Sequence, residues 1–226
     1  MQKILIILLL FIAACKSSEP LFNNLVVRTY HDRNTGVAYA SAVLIDCIKK
    51  ENNYSLVFLS CKHFLPPEET LDLKNDLVFV QFLNGSDQPC LSRRVVEIIY
   101  HPTLDITILI AENDSYLEPA KISTSAPAAA EKVVAVGFPL GIGMLITEGY
   151  TCYSLVDQNK SVCSAPIYPG SSGGGLFYLT TKELIGISIQ ILTIPDKNGS
   201  ALAENIHIYI PVFCFIDWLE KAYEKG

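Results

Sequence analysis

The sequence predicts an all-β chain of two six-stranded antiparallel β-barrels followed by a C-terminal helix, and three observations predict it. Around a dozen short β-rich runs are punctuated by turn residues, no long helical pattern separates them, and one strand-poor connector divides them six and six. The first six runs are Leu25 to Tyr30, Val37 to Ile48, Tyr54 to Leu59, Leu77 to Phe82, Val95 to Tyr100 and Ile106 to Ala111. The connector, Ser115 to Glu131, holds Pro119, Pro127 and three consecutive alanines. Six further runs follow it: Lys132 to Gly137, Met144 to Leu155, Ser161 to Ala165, Gly175 to Leu179, Leu184 to Leu192 and Ile206 to Ile210. Helices are expected only around Cys61 to Leu65 and from Val212 to Tyr223, where Val212, Phe215, Ile216 and Leu219 share a face. The organisation reads as an N-terminal barrel over about 22–114, the connector over about 115–131, and a C-terminal barrel with its helix over about 132–226.

Composition excludes some classes of function. Half of the 226 residues are apolar and 18% are charged, so the chain can bury a sizeable core. A net charge of −6 leaves no electrostatic footprint for nucleic acid. No CxxC or HxxxH spacing supports a metal site, and no cofactor is expected. The loop Gly137 to Gly143 is glycine-rich but has no lysine and opens no helix, which argues against a nucleotide phosphate.

Met1-Gln2-Lys3 leads into the unbroken apolar run Ile4 to Ile12, and Ala13-Ala14-Cys15 follows: a charged start, an apolar stretch and a small-residue processing site. Such a run makes a helix of about 14 Å, short of the ~30 Å hydrocarbon core, so it reads as an export signal rather than a permanent span. Ile12-Ala13-Ala14-Cys15 resembles the bacterial lipobox, which implies processing after Ala14, lipidation of Cys15 and a tether over residues 15–21. Acyl chains contributing about 0.8 kcal/mol per buried CH₂ would then hold the protein on a membrane. The expected location is the cell envelope, on the periplasmic side of an outer membrane or at the cell surface, and Lys16 favours the outer membrane by that analogy. Six cysteines remain: Cys47, Cys61, Cys90, Cys152, Cys163 and Cys214. In an exported chain they suggest disulfides, with Cys47 to Cys61 and Cys152 to Cys163 the favoured pairs. Buried free thiols are the competing reading.

The stretch Pro169-Gly170-Ser171-Ser172-Gly173-Gly174-Gly175-Leu176 sets a serine among glycines. Alone it is also compatible with a flexible loop. A hydroxyl attacking an acyl carbon needs backbone N–H groups aimed at the oxygen that becomes negative, and the amides of Gly170 and Ser172 would supply them. It also needs a base. Of the four histidines, His31, His101 and His207 read as surface or structural, whereas His63 follows the apolar strand Ser55 to Leu59 and is held rigidly. Asp105 stands at the mouth of the strand Ile106 to Leu109, where a carboxylate must find hydrogen-bond partners, and a histidine ring N–H would serve.

The order His63, Asp105, Ser172 in a chain of strands resembles the trypsin-like serine peptidases of the chymotrypsin fold, over nearly all of residues 22–220. Within that group the chain is most similar to the bacterial HtrA (Deg) proteases. The likeness lies in Val134-Ala135-Val136-Gly137-Phe138-Pro139-Leu140-Gly141-Ile142-Gly143, in Leu145-Ile146-Thr147-Glu148-Gly149 and in Ala165 to Gly174. It continues in Leu184-Ile185-Gly186-Ile187 and Tyr209-Ile210-Pro211-Val212. The resemblance implies a chymotrypsin-like double barrel and a serine endopeptidase working through an acyl-enzyme, with peptides or proteins as substrates. It also implies a primary pocket walled by Pro166, Ile167, Ser188, Ile189, Gln190 and Ile191, suited to small aliphatic residues. Ser60-Cys61-Lys62 departs from the usual run before the histidine. Ser171 stands where zymogen-activated members carry an aspartate, which argues against activation by a freed N-terminus. Gly175 replaces a common proline, and no PDZ module is expected. The alternative these residues leave open is a catalytically idle lipoprotein of the same fold acting in binding or adhesion.

Overall fold

In a computed structural model of the chain, which describes residues 22, 25–33, 36–83, 89–196 and 199–223, the backbone forms two closed six-stranded barrels. The export signal, Cys15 and the tether lie outside the described residues.

The first barrel consists of β1 (Val26–Arg33), β2 (Gly36–Lys49), β3 (Tyr54–Ser60), β4 (Leu77–Leu83), β5 (Pro89–Tyr100) and β6 (Thr107–Asn113). Its strands run in the order β1-β2-β3-β6-β5-β4, and β4 pairs with β1 to close it. Side-chain alternation fills it: Val78, Val80 and Phe82 of β4 point inward, while Leu77, Phe79 and Gln81 between them stay half-exposed. The second barrel consists of β7 (Lys132–Gly137), β8 (Leu145–Leu155), β9 (Lys160–Cys163), β10 (Gly175–Tyr178), β11 (Leu184–Asp196) and β12 (Gly199–Pro211). Its order is β10-β11-β12-β9-β8-β7, closed by β10 against β7.

One apolar cluster runs through both barrels, joining Leu44 and Phe58 of the first to Val136, Phe138 and Phe177 of the second. The connector adds backbone bonds to both: Ala120 N donates to Leu44 O at 2.9 Å, and Ser123 N donates to Leu184 O at 2.9 Å. The chain then ends in a 3₁₀ turn (Val212–Cys214) and helix α1 (Ile216–Ala222), whose Trp218 ring lies 4.7 Å from that of His101 on the first barrel. These contacts fix the two barrels against each other.

The structure corrects several expectations. Residues 61–65 form turns rather than a helix, because Pro66 and Pro67 cannot continue one past the single Leu65 N to Lys62 O bond. Strand β5 begins at Pro89 rather than Val95, and β11 and β12 extend beyond Leu192 and before Ile206 as a two-stranded ribbon. Pro195, which pairs with Ser200, masks that ribbon in the sequence, because a proline demotes a run to an edge strand or to no strand at all.

The disulfide expectation is overturned: Cys47, Cys61, Cys90, Cys152, Cys163 and Cys214 are all free. Register explains both failed pairs. Cys47 faces Leu56 across the β2–β3 ladder while Ala42 faces Ser60, so Cys47 and Cys61 stand near opposite ends of it. Cys163 faces Thr151, which turns Cys152 to the other face of the sheet.

Candidate active site

Strand pairing alone brings His63 and Asp105 together. Ser60, the last residue of β3, is paired with Thr107, the first of β6, so the chain leaving β3 and the chain entering β6 emerge at the same end of one ladder. The turn after β3 carries His63 and the turn before β6 carries Asp105. Both carboxylate oxygens are then engaged. Oδ1 accepts the backbone N–H of Lys62 and of His63, each at 2.9 Å, and Oδ2 lies 2.6 Å from His63 Nδ1. An ionised carboxylate only accepts, so Nδ1 carries the proton and Nε2 of the neutral ring is left as an acceptor. The hydrogen bond to Asp105 raises the His63 pKa above the ordinary imidazole value, the Cys61 thiol adds to the rise, and partial desolvation opposes it.

Lys62 and His101 brace the same turn. Lys62 Nζ donates to His101 O at 3.3 Å, and His101 Nδ1 accepts the backbone N–H of Thr103 at 3.2 Å and of Leu104 at 3.0 Å, just before Asp105.

Ser172 lies in the loop between β9 and β10. Two tight turns shape this loop, Ser171 N to Tyr168 O and Gly174 N to Ser171 O, both at 2.9 Å. Gly170 and Gly173 adopt φ of +94° and +84°, a region that side-chain-bearing residues avoid. A Cβ on Gly170 would lie 2.6 Å from Leu140 N, and one on Gly173 would lie 2.1 Å from Ser41 O. Leu140 N donates to Pro169 O at 2.7 Å, and because a trans peptide directs its C=O and N–H oppositely, the Gly170 N–H is turned away from Leu140. Among the described residues, the N–H groups of Gly170 and Ser172 meet no protein acceptor, whereas those of Ser171, Gly173 and Gly174 are all bonded.

The first barrel grips this loop. Ser41 N donates to Ser172 O at 2.8 Å, and a Cβ on Gly173 would come within 3.0 Å of Cys61 N, two residues before His63. The Ser172 hydroxyl donates to Ile189 O at 3.2 Å, and the Cys61 Sγ lies 3.8 Å from His63 Nε2.

The family comparison agrees with this architecture. A trypsin-like peptidase domain matches residues 35–187. The chain belongs to the trypsin-like peptidase family. No curated protein matches the sequence. Among solved structures, a serine endoprotease from Yersinia pestis superposes with a TM-score of 0.67 at 20% identity, covering 90% of this chain and 64% of that one. An HtrA-type protease solved with a tripeptide gives 0.62 at 18%, covering 90% and 62%. This trypsin-like peptidase therefore spans less than two thirds of the length of each of those proteins.

Of the expected pocket residues, Ser188, Ile189 and Ile167 are buried, Pro166 and Ile191 are half-buried and Gln190 is exposed. Ser188 donates its hydroxyl to His207 Nε2 at 3.3 Å, and His207 Nδ1 donates to Ala165 O at 2.6 Å. Burial lowers the His207 pKa to about 4, so this fully enclosed ring is neutral. His31, His101 and His207 are all buried, consistent with structural service.

Sequence reasoning missed two neighbours of the site in this trypsin-like peptidase. Cys61 faces His63 Nε2, and nothing in its spacing marked it. Ser41 sits in Ala40-Ser41-Ala42 within an apolar strand; a lone buried hydroxyl there was the available signal.

Proposed function

We propose that the protein is a serine endopeptidase in which Ser172 is the nucleophile, His63 the general base, Asp105 the group that orients it, and the amides of Gly170 and Ser172 the oxyanion hole. The observation that carries this reading is the Asp105 carboxylate, whose bond to Nδ1 fixes the His63 tautomer and leaves Nε2, which the Cys61 thiol faces, as the ring's acceptor. The Ser172 hydroxyl is bonded to Ile189 O rather than to His63, so this reading requires it to rotate about Cα–Cβ and meet His63 when substrate is bound, as such contacts commonly tighten only then. Ser172 Oγ then forms a bond to the peptide carbonyl carbon as its proton passes to His63 Nε2. The carbonyl oxygen becomes negative opposite the Gly170 and Ser172 amides. Collapse breaks the C–N bond, His63 returns the proton to the departing amine, and water attacks the acyl-enzyme by the same route in reverse.

Substrates are peptides or proteins. Ile167 and Ile189 support a preference for small aliphatic residues before the scissile bond, as does the neutral His207–Ser188 pair, which offers no negative charge to a cationic side chain. The apolar run Ile4 to Ile12 and Cys15 support export and lipid anchoring at the cell envelope. A fluorophosphonate probe tests the core of the proposal. Labelling is expected in the wild type and lost in Ser172→Ala and His63→Ala; absence of labelling from pH 6 to 9 would favour the idle scaffold. A peptide library tests specificity, and rapid cleavage after Lys or Arg would refute the aliphatic pocket. Incorporation of labelled fatty acid, abolished by Cys15→Ser, tests the anchor.

A further inference from the structure

Gly170 is the weakest point of the proposed oxyanion hole, because a residue without a side chain, at φ +94°, is held only by its two flanking peptides. The upstream peptide is fixed by Leu140 N donating to Pro169 O at 2.7 Å. The downstream one is fixed from the other barrel: the Ser41 hydroxyl donates to Gly170 O at 3.0 Å. The same hydroxyl accepts Phe138 N at 2.9 Å, in the loop that also supplies Leu140. It therefore bridges a backbone donor and a backbone acceptor, which a single hydroxyl can do and an aliphatic side chain cannot.

The rest of Ser41 is equally committed. Its N–H donates to Ser172 O at 2.8 Å, and its carbonyl accepts the Ser60 hydroxyl at 2.7 Å. Ser60 closes β3, directly before the turn that carries His63. One fully buried residue thus contacts the oxyanion-hole glycine, the serine, the Phe138 to Leu140 loop and the root of the histidine turn. Such a residue is poorly replaced by alanine, since Phe138 N and Gly170 O would both lose their partner inside the protein.

We propose that Ser41 is a positioning residue that holds the Gly170 amide in register with the Ser172 hydroxyl, coupling the oxyanion hole of the second barrel to the base-bearing end of the first. It touches no substrate and acts through Gly170. This inference rests on the serine endopeptidase reading and deepens it. A misaimed donor weakens stabilisation of the tetrahedral oxyanion while leaving ground-state binding and the His63–Asp105 pair intact.

The test is a kinetic comparison of wild type, Ser41→Ala, Ser41→Cys and Ser41→Thr on one peptide substrate, with thermal melting to establish that each is folded. Ser41→Ala is expected to lower kcat by about 10- to 100-fold with KM within about twofold, since complete loss of one such donor costs about 10²–10³. The acid limb of the pH profile, set by His63, is expected not to move. Inhibition by a peptide aldehyde, whose hemiacetal oxygen occupies the hole, should weaken in step with kcat/KM. Binding of the uncut peptide to Ser172→Ala should be the same with and without Ser41→Ala. Ser41→Thr, which restores the hydroxyl, should recover most of the loss. If Ser41→Ala does not fold, the nearly isosteric Ser41→Cys, with its poorer donor, takes its place.

A kcat within twofold of wild type in the folded variant overturns the proposal, as does a loss confined to KM or a displaced acid limb. If the wild type itself neither turns over peptide nor labels with fluorophosphonate, it is the endopeptidase reading that has failed. An active wild type with indifferent Ser41 variants sinks this inference alone.

Discussion

The two barrels contribute to the proposed site in different chemical forms. The first supplies side chains, His63 and Asp105, set at the ends of two paired strands and locked by direct bonds between carboxylate, ring and backbone. The second supplies the Ser172 hydroxyl and, beside it, backbone: a loop in which Gly170 and Gly173 take φ values that favour glycine, and in which the N–H groups of Gly170 and Ser172 meet no acceptor among the described residues. Side-chain chemistry set by strand register survives changes in loop sequence. Backbone chemistry does not, because it depends on the absence of atoms. The two halves should therefore fail differently when mutated.

The sharpest way to test that contrast is Asp105→Asn. It keeps the shape but removes the charge that, in the proposed mechanism, orients and stabilises the His63 imidazolium, and a fall in kcat of about 10⁴ is expected. The pH profile supplies a second readout. In the proposed mechanism His63 must be neutral to accept the Ser172 proton, and Asp105 raises its pKa, so wild-type kcat/KM should rise with pH through a midpoint above the ordinary imidazole value of about 6.5. In Asp105→Asn that midpoint should move to lower pH. An unmoved midpoint with an undiminished rate would mean that the first barrel contributes position only.

Gly170→Ala probes the second barrel. The added Cβ would lie 2.6 Å from Leu140 N and 2.9 Å from Phe138 O, both backbone atoms that cannot yield cheaply, and the positive φ is unfavourable in any case. The expected loss is about 10²–10³ in kcat with the acid limb in place, since His63 and Asp105 are untouched. Titration by the same profile separates the barrels: Asp105→Asn moves the limb, and Gly170→Ala lowers the plateau beneath it. A Gly170→Ala enzyme of wild-type rate would remove Gly170 from the oxyanion hole.

The same division explains what could be read from the sequence. All twelve strand runs were visible, because alternation and turn residues act within a few positions. The helix expected from Val212 to Tyr223 is instead a 3₁₀ turn at Val212–Cys214 followed by α1 at Ile216–Ala222, so that of its expected apolar face only Ile216 and Leu219 lie in α1. The glycines were visible too, since a strained φ advertises itself by composition. The disulfides misled because an even cysteine count says nothing of register, and Cys163 opposite Thr151 decided against Cys152. The turn after β3 misled because the local apolar pattern of Cys61 to Leu65 was overruled by Pro66 and Pro67. Ser41 was invisible as a neighbour of Gly170, because the 129 positions between them close only when both barrels are assembled. Long-range hydrogen bonds of this kind leave no spacing to detect.

His207 offers the smallest expected effect and the most discriminating one, because it is a buried side chain in the barrel otherwise valued for its backbone. Its neutral ring donates to Ala165 O and accepts from Ser188, beside the proposed pocket. Burial lowers its pKa to about 4 against about 6.5 in the unfolded chain. The unfolded state thus binds the extra proton first. The stabilisation is complete above pH 6.5 and is lost as pH falls towards 4, by ~3 kcal/mol at most. His63 has the opposite sign: its raised pKa favours the folded state at low pH, and its half-exposed ring makes that contribution small. Melting temperatures of wild type and His207→Asn between pH 4 and 7.5 should therefore converge on acidification, the variant being less stable near neutrality and less sensitive to acid. Parallel curves would show that the buried imidazole does not govern the acid response, and would leave Ser172 as the side chain through which the second barrel acts.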